Sequence, residues 1–289
     1  MVVSPPALAP DLEPELEVVL ATWNGAPYLE QQLRSLEQQT LRPSRVLVHD
    51  DGSSDGTCAI LQRWARAHPG WLELLPPLPQ RLGATAAFNR LLLASRAPYV
   101  ALCDQDDLWH PERLAAGLAQ LRQVEAAASP SPRPLLLHSD ARLIDGRGHP
   151  LGRSLWQWHR ASAEPPGLAS LSLRNRITGC TLLSNRALLD RALPIPEDAI
   201  LHDWWLALVA CQQQGLLACP RQLLDHRRHR GNASGPSHRL AQRPLALLER
   251  GRAVHGQWHR LHQRFGLTWQ QRLAWWPLAL VRTLPHWGA

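Results

Sequence analysis

Short, continuous apolar runs alternate with helix-period segments through the first hundred residues, and this alternation constrains the chain most. "EVVLA" (17–21), "RVLVH" (45–49), "WLELL" (71–75) and "YVALC" (99–103) read as strands, with helical patterns between them at 26–39, 57–68 and 84–95. A strand with one wet face would alternate apolar and polar residues, whereas these runs are apolar throughout, as strands covered on both faces must be. The pattern predicts an α/β domain: a mostly parallel, Rossmann-like sheet flanked by helices.

Acidic residues follow two of these strands directly. "HDDGSSDGT" (49–57) places Asp50 and Asp51 after the second strand, and "DQDD" places Asp104, Asp106 and Asp107 after the fourth. In open α/β sheets, ligands bind outside the carboxyl ends of the strands, so both clusters face one rim. Three like charges at the mouth of an apolar run repel one another and are costly to desolvate unpaired, so folding alone does not account for them. Carboxylate oxygens in this pattern suit a hard cation, Mg²⁺ or Mn²⁺, of the kind that bridges protein carboxylates to phosphates. The competing role for Asp107 is to cap the helix that follows Pro111.

Beyond a helix at about 111–128 and an exposed linker "SPSPRP" (129–134), a strand and hairpin with an Asp145-Gly146 turn is expected. A strand "ITGCTLLS" (177–184), helices at 185–192 and 202–214, an arginine- and histidine-rich loop and two terminal helices complete the expectation. The 289-residue chain has five cysteines without metal-ligand or disulfide spacing, which fits a reducing compartment. Its N-terminus lacks a secretory pattern, so a cytoplasmic location is expected. The net charge of +7 comes entirely from arginine, and with the Trp-rich segment "LTWQQRLAWWPLALVRTLPHW" (267–287) it suits peripheral contact with an anionic membrane surface. The sequon at Asn232 is read as chance.

The blocks "VVLATWNGAPYLEQQLRSLEQQT", "VLVHDDGSSDGT", "YVALCDQDDLW", "ITGCTLL" and "LHDWWLALVA" resemble, in order, those of family 2 glycosyltransferases, particularly the bacterial rhamnosyltransferase-like branch. The resemblance spans about 17–235 and implies a GT-A fold and inverting, metal-dependent sugar transfer from a nucleoside diphosphate sugar. It assigns Thr22, Asn24, Asp50 and Asp51 to the nucleoside, Asp104 to nucleotide and metal, Asp106 to the metal and Asp203 to the general base. Capping of its own helix is the competing role for Asp203. Thr178, Gly179 and Trp204 fall on the acceptor side, although a chain with thirteen tryptophans leaves core packing as the alternative for Trp204.

In "DHRRHRGNASG" (225–235) the resemblance points to His229 as a metal- or diphosphate-side histidine, with His226 as a rival, and to Arg227, Arg228 and Arg230 as phosphate clamps. The expected organisation is a flexible lead (1–16), a transferase domain (17–235, with halves at 17–128 and 135–235) and a helical extension (236–289). The expected acceptor is a saccharide or lipid-linked saccharide in cell-surface polysaccharide synthesis, and no nucleic acid is expected to bind.

A phosphatase with an Asp-x-Asp nucleophile would require a lysine, which the chain lacks, and a dinucleotide-dependent dehydrogenase would require G-x-G-x-x-G after the first strand. The remaining rival is an arginine-rich binder of anionic surfaces or nucleic acid on a degenerate transferase fold.

Overall fold

The computed structural model describes residues 15–127, 133–229, 232 and 244–266, with backbone alone for 244–253. Strands β1 (Leu16–Thr22), β2 (Arg45–Asp50), β3 (Leu72–Leu74) and β4 (Tyr99–Cys103) form a parallel array in the order 3-2-1-4. Helices α1 (Ala26–Glu37), α2 (Thr57–Ala67) and α3 (Ala84–Ala94) are the crossovers. The inner runs are buried on both faces: Val18, Leu20, Val46, Val48 and Ala101 pack on one side, Val19, Leu47, Val100 and Leu102 on the other. This double burial is why the runs lack alternation.

After β4 come a two-residue strand, β5 (Leu108–Trp109), and helix α4 (Arg113–Ala126). The chain then builds β6 (Leu136–Asp145), β7 (Pro150–Ser154), the short helices α5 (Leu155–His159) and α6 (Leu168–Leu173), and a 3-10 turn at Gly179–Thr181. Strand β8 (Leu182–Asn185), helices α7 (Arg186–Ala192) and α8 (His202–Gln212), strand β9 (Leu216–Arg228) and helix α9 (Pro244–Phe265) follow. One sheet continues through both halves as β3-β2-β1-β4-β8-β6-β9-β5, with β7 on β6. Strand β8 runs antiparallel to β4 and β6, while β6 and β9 are parallel.

Three expectations need correction. The arginine- and histidine-rich stretch read as a loop is the end of β9, a 13-residue strand. Pro220 interrupts its sequence pattern, and the ladder absorbs it: the register passes from Ser139↔Cys219 to Asp140↔Gln222, leaving Pro220 and Arg221 bulged out. Only the last three residues of "ITGCTLLS" are strand, because the Gly179 N–H donates to Asp203 Oδ2 and the Cys180 carbonyl accepts from the Arg113 guanidinium. Asp107 does not cap α4, whose N-cap is Glu112.

Most of the linker, the lead before residue 15 and the segment 267–287 fall outside the described residues. Among the described residues no helix is long and apolar enough to cross a membrane.

Gly215 joins α8 to β9 where no side chain fits: a Cβ there would lie 1.7 Å from the Pro134 carbonyl oxygen. That oxygen is backbone beside β6 and cannot swing away. Gly215→Ala is expected to destabilise by at least about 3 kcal/mol, lowering the melting midpoint by on the order of 10 °C in a thermal scan.

Candidate active site

The loop after β1 and the loop after β2 are tied into one network. Thr22 Oγ1 donates to Asp50 Oδ1 (2.9 Å), which also accepts from Ser53 Oγ (2.6 Å), and Asp50 Oδ2 accepts from Ser53 N (2.8 Å). Burial alone would raise the Asp50 pKa, but these bonds and one from the Cys58 thiol hold it below the usual carboxylate range. Asn24 occupies the left-handed region (φ 49°), with its Oδ1 accepting from Ser54 N (2.8 Å) and its own N–H donating to Ser53 Oγ (2.8 Å). Such backbone strain persists only where surrounding bonds fix it, as at ligand-binding turns. Thr22, Asn24 and Asp50 therefore stand together at the carboxyl edge.

The Asp51 N–H donates to the Thr22 carbonyl (2.8 Å), while its side chain turns to the next loop. It is buried, and its oxygens accept from Leu82 N (2.6 Å), Gly83 N (2.9 Å) and Arg81 Nε (3.2 Å). These donors make it a latch on the loop before α3. Two residues without a sequence signal complete this edge. Trp23 is 40% exposed with the Arg81 guanidinium 3.5 Å above its ring, and Gln105 exchanges two hydrogen bonds with the Trp23 backbone (2.8 and 3.0 Å).

The three carboxylates after β4 take separate roles. No hydrogen-bond donor among the described residues reaches the half-buried Asp104 carboxylate. Burial, reinforced by the Asp107 and Asp106 charges and then by Asp203, holds its pKa well above the usual range. Asp106 Oδ2 accepts from His229 Nε2 (2.6 Å) and Asn232 Nδ2 (3.1 Å), while none of the described donors reaches its Oδ1. Asn232 also holds the His229 N–H and the Arg227 carbonyl, so its amide belongs to this loop.

Asp107 is fully buried beneath them, with Oδ1 beside His226 Nδ1 (3.0 Å) and the Arg227 N–H (3.1 Å). Burial opposes both charges, yet each partner offsets it, raising the His226 pKa and lowering that of Asp107. With Cys180 these two side chains form a group whose ligand atoms lie within 4.8 Å of one another. Within this trio His226 Nδ1 and Asp107 Oδ1 face each other as a buried pair that supports the loop from below.

An unpartnered oxygen set does fit a hard cation. The Asp104 carboxylate and Asp106 Oδ1 are such a set, with His229 alongside, and the two histidines proposed as rivals hold different positions, His229 on Asp106 and His226 on Asp107. Arg227 is not a phosphate clamp. Its buried guanidinium donates to the Asp106 carbonyl (2.9 Å), Gln31 Oε1 (3.0 Å) and the Gly146 carbonyl (3.3 Å), buckling α1 and the β6–β7 hairpin to the acidic loop. Arg228 lies over Trp158, and Arg230 lies outside the described residues.

Asp203 sits in the first turn of α8, whose N-cap is Leu201, so it does not cap the helix. Its Oδ1 accepts from Trp204 N (2.6 Å) and Asn175 Nδ2 (3.0 Å), and its Oδ2 from Gly179 N (3.0 Å). Burial outweighs these bonds and lifts its pKa to about 6. Gly179 thus lies against it, with Thr178 next to Gly179 in the chain. Trp204 presents no sugar platform: it is 3% exposed, and its indole N–H donates to the Leu171 carbonyl (2.6 Å) within the core.

His202, beside Asp203, is buried against Phe88 with neither ring nitrogen hydrogen-bonded among the described residues, and burial lowers its pKa to about 3; His138 on β6 falls to about 4. Both are neutral when folded and titrate near 6.5 when unfolded. Stability is therefore complete above pH 6.5 and declines as the pH falls through that value, by about 2 kcal/mol per histidine at pH 5. Melting midpoints measured from pH 8 to 5 are expected to drop, and His202→Phe to remove about half of the drop.

A parallel 3-2-1-4 half-sheet continued by antiparallel strands, with acidic and hydroxyl groups at one carboxyl edge, is the GT-A glycosyltransferase architecture. TarS of S. aureus in complex with UDP superposes on 90% of this chain and 69% of its own with a TM-score of 0.61 at 17% identity. The mannosyltransferase PcManGT of Pyrobaculum calidifontis, in complex with GDP-Man and Mn²⁺, covers 96% and 83% at 0.55 and 20%. At such identities the likeness is one of fold.

The family model described as glycosyl transferase family 2 matches residues 17–135. The dTDP-rhamnosyl transferase RfbG of Shigella flexneri is 30% identical over 98 residues, 33% of this chain and 34% of that protein. Across the first curated relatives the match spans 34% to 59% of their lengths.

Proposed function

We propose that the protein transfers a hexose or deoxyhexose such as rhamnose from a nucleoside diphosphate donor to an acceptor hydroxyl, with inversion at the anomeric carbon. The observation that carries this reading is electrostatic. An undonated carboxylate, Asp104, lies near enough to feel the charge of Asp203, a second carboxylate whose pKa stands at about 6. Perturbed acids facing one edge mark an acid–base site with a cation partner.

Asp104 and Asp106, with His229 beside them, would hold Mg²⁺ or Mn²⁺. A divalent cation there supplies charge neutralisation for the departing diphosphate. Thr22, Asn24 and Asp50 shape the nucleoside edge, and Trp23, with Arg81 stacked on its ring, borders it. Asp203, ionised above pH 6, takes the proton of the attacking hydroxyl. Its bonds to Asn175 and Gly179 fix the carboxylate so that the hydroxyl meets a positioned base.

The acceptor we infer is a growing saccharide, free or lipid-linked, of a bacterial surface polysaccharide, made in the cytoplasm beside the membrane. The test is the melting midpoint of the protein against a panel of nucleoside diphosphates and nucleotide sugars, with Mn²⁺, with Mg²⁺ and with chelator. A metal-dependent rise with one nucleotide supports the reading and names the base; no rise with any of them would sink it.

A further inference from the structure

The acceptor side holds an exposed aromatic that the sequence does not single out. Helix α5 opens with a capping box between Ser154 and Gln157, and its Trp156 N–H donates to Asp140 Oδ1 (2.9 Å). These bonds turn Trp156 into the core and Trp158 outward, where it is 44% exposed. The Arg153 and Arg228 guanidiniums each lie 4.9 Å from the Trp158 ring centre. Among the described residues neither has an acidic partner.

Two guanidiniums held against one indole repel each other, and a cation–π contact at an exposed ring returns little of that cost. An anion between them would relieve it.

The position of Trp158 ties it to both ends of the reaction centre. Arg228 directly precedes His229, which bonds Asp106. Two residues beyond Trp158, the Arg160 carbonyl accepts from Arg176, the neighbour of the Asn175 that donates to Asp203. The indole therefore sits on segments that adjoin, along the chain, those holding the cation cradle and the base.

We propose that Trp158, Arg153 and Arg228 form the acceptor subsite for an anionic sugar, its pyranose ring on the indole and its carboxylate or phosphate between the two guanidiniums. This rests on the reading of the chain as a glycosyltransferase. It also adds to that reading, because it gives the acceptor a charge.

The experiment is calorimetric titration of the full chain, loaded with Mg²⁺ and the nucleoside diphosphate that stabilises it best, with an oligogalacturonate, a hexose phosphate and a neutral malto-oligosaccharide. At least one anionic probe is expected to bind, and the neutral one not. Whichever anion binds identifies carboxylate or phosphate as the recognised group. Trp158→Ala is expected to weaken binding about tenfold, and the Arg153→Ser, Arg228→Ser double variant roughly 10- to 100-fold. Trp158→Phe should restore part of the loss.

Failure of both anions to bind, equal binding of the neutral probe, or unaltered affinity in the variants overturns the subsite. The nucleotide-induced rise in melting midpoint, followed in the same samples, keeps the two readings apart. A retained rise without anion binding removes only the subsite, while anion binding without any nucleotide response removes the transferase reading.

Discussion

Asp203→Asn is expected to lower kcat by about 10²- to 10⁴-fold while leaving donor binding within a factor of about two, the signature of a lost general base. The substitution keeps the side-chain shape, and the amide oxygen can still accept from Gly179 or Trp204, so the backbone it organises should persist. Stability sharpens the expectation. The folded pKa of about 6 lies above the unfolded carboxylate value of 3.8, so the ionised form opposes folding above pH 6, by about 3 kcal/mol, and the penalty fades as pH falls through 6 toward 3.8. Removing the charge removes that penalty and offsets the lost acceptor. A near-inactive variant that melts within a few degrees of the parent at pH 8 is the expected outcome; an equally inactive but unfolded one would show only a structural role. In the parent, activity should rise with pH along a limb centred near 6, and that limb should be absent from the residual activity of Asp203→Asn.

Asp104→Asn should separate binding from stability with opposite signs. In the unliganded protein Asp104 is a carboxylate without a hydrogen-bond donor among the described residues, crowded by Asp106 and Asp107, so neutralising it should raise the melting midpoint or leave it unchanged. The same change removes the charge that faces the cation. At a donor concentration about a hundredfold above Kd, the parent should gain about 2.7 kcal/mol, or roughly 5–10 °C, from nucleotide with Mn²⁺. The variant is expected to lose most of this gain and its dependence on chelator. If Asp104→Asn responds to nucleotide and Mn²⁺ as the parent does, the cation cradle is elsewhere, and the Asp107, Cys180 and His226 group becomes the place to look.

The parallel half of the sheet was readable from the sequence because its signals are local. Runs such as "VVLA" and "YVALC" are apolar for a reason that acts residue by residue, burial on both faces, and their boundaries fall within two residues of β1–β4. The placing of acids at the carboxyl edge followed from the same regularity. β9 was not readable, since Pro220 and the charged end "DHRR" argue against a strand locally. Its existence depends on β6 running alongside, on Asp107 pairing with His226, on the Asp106 carbonyl accepting from Arg227 and on Arg142 pairing with Asp225.

Side-chain roles divide along the same line. That Asp104 and Asp106 are chemically unusual was visible as composition in context, because like charges beside apolar runs need a partner whatever the fold, whereas Asp203 was marked only by the family resemblance. Which of the neighbouring acids is left open and which is turned inward was decided only by tertiary structure. Asp51 meets the Leu82 and Gly83 N–H groups, Asp107 meets His226 across 119 residues, and Trp204 is drawn into the core while Trp158 is left on the rim. The sequence determined the kinds of group gathered at the edge. The packing of distant segments determined which of them find partners inside the protein, and so which remain for a ligand, because hydrogen bonds and burial are settled by neighbours in space that no local pattern contains.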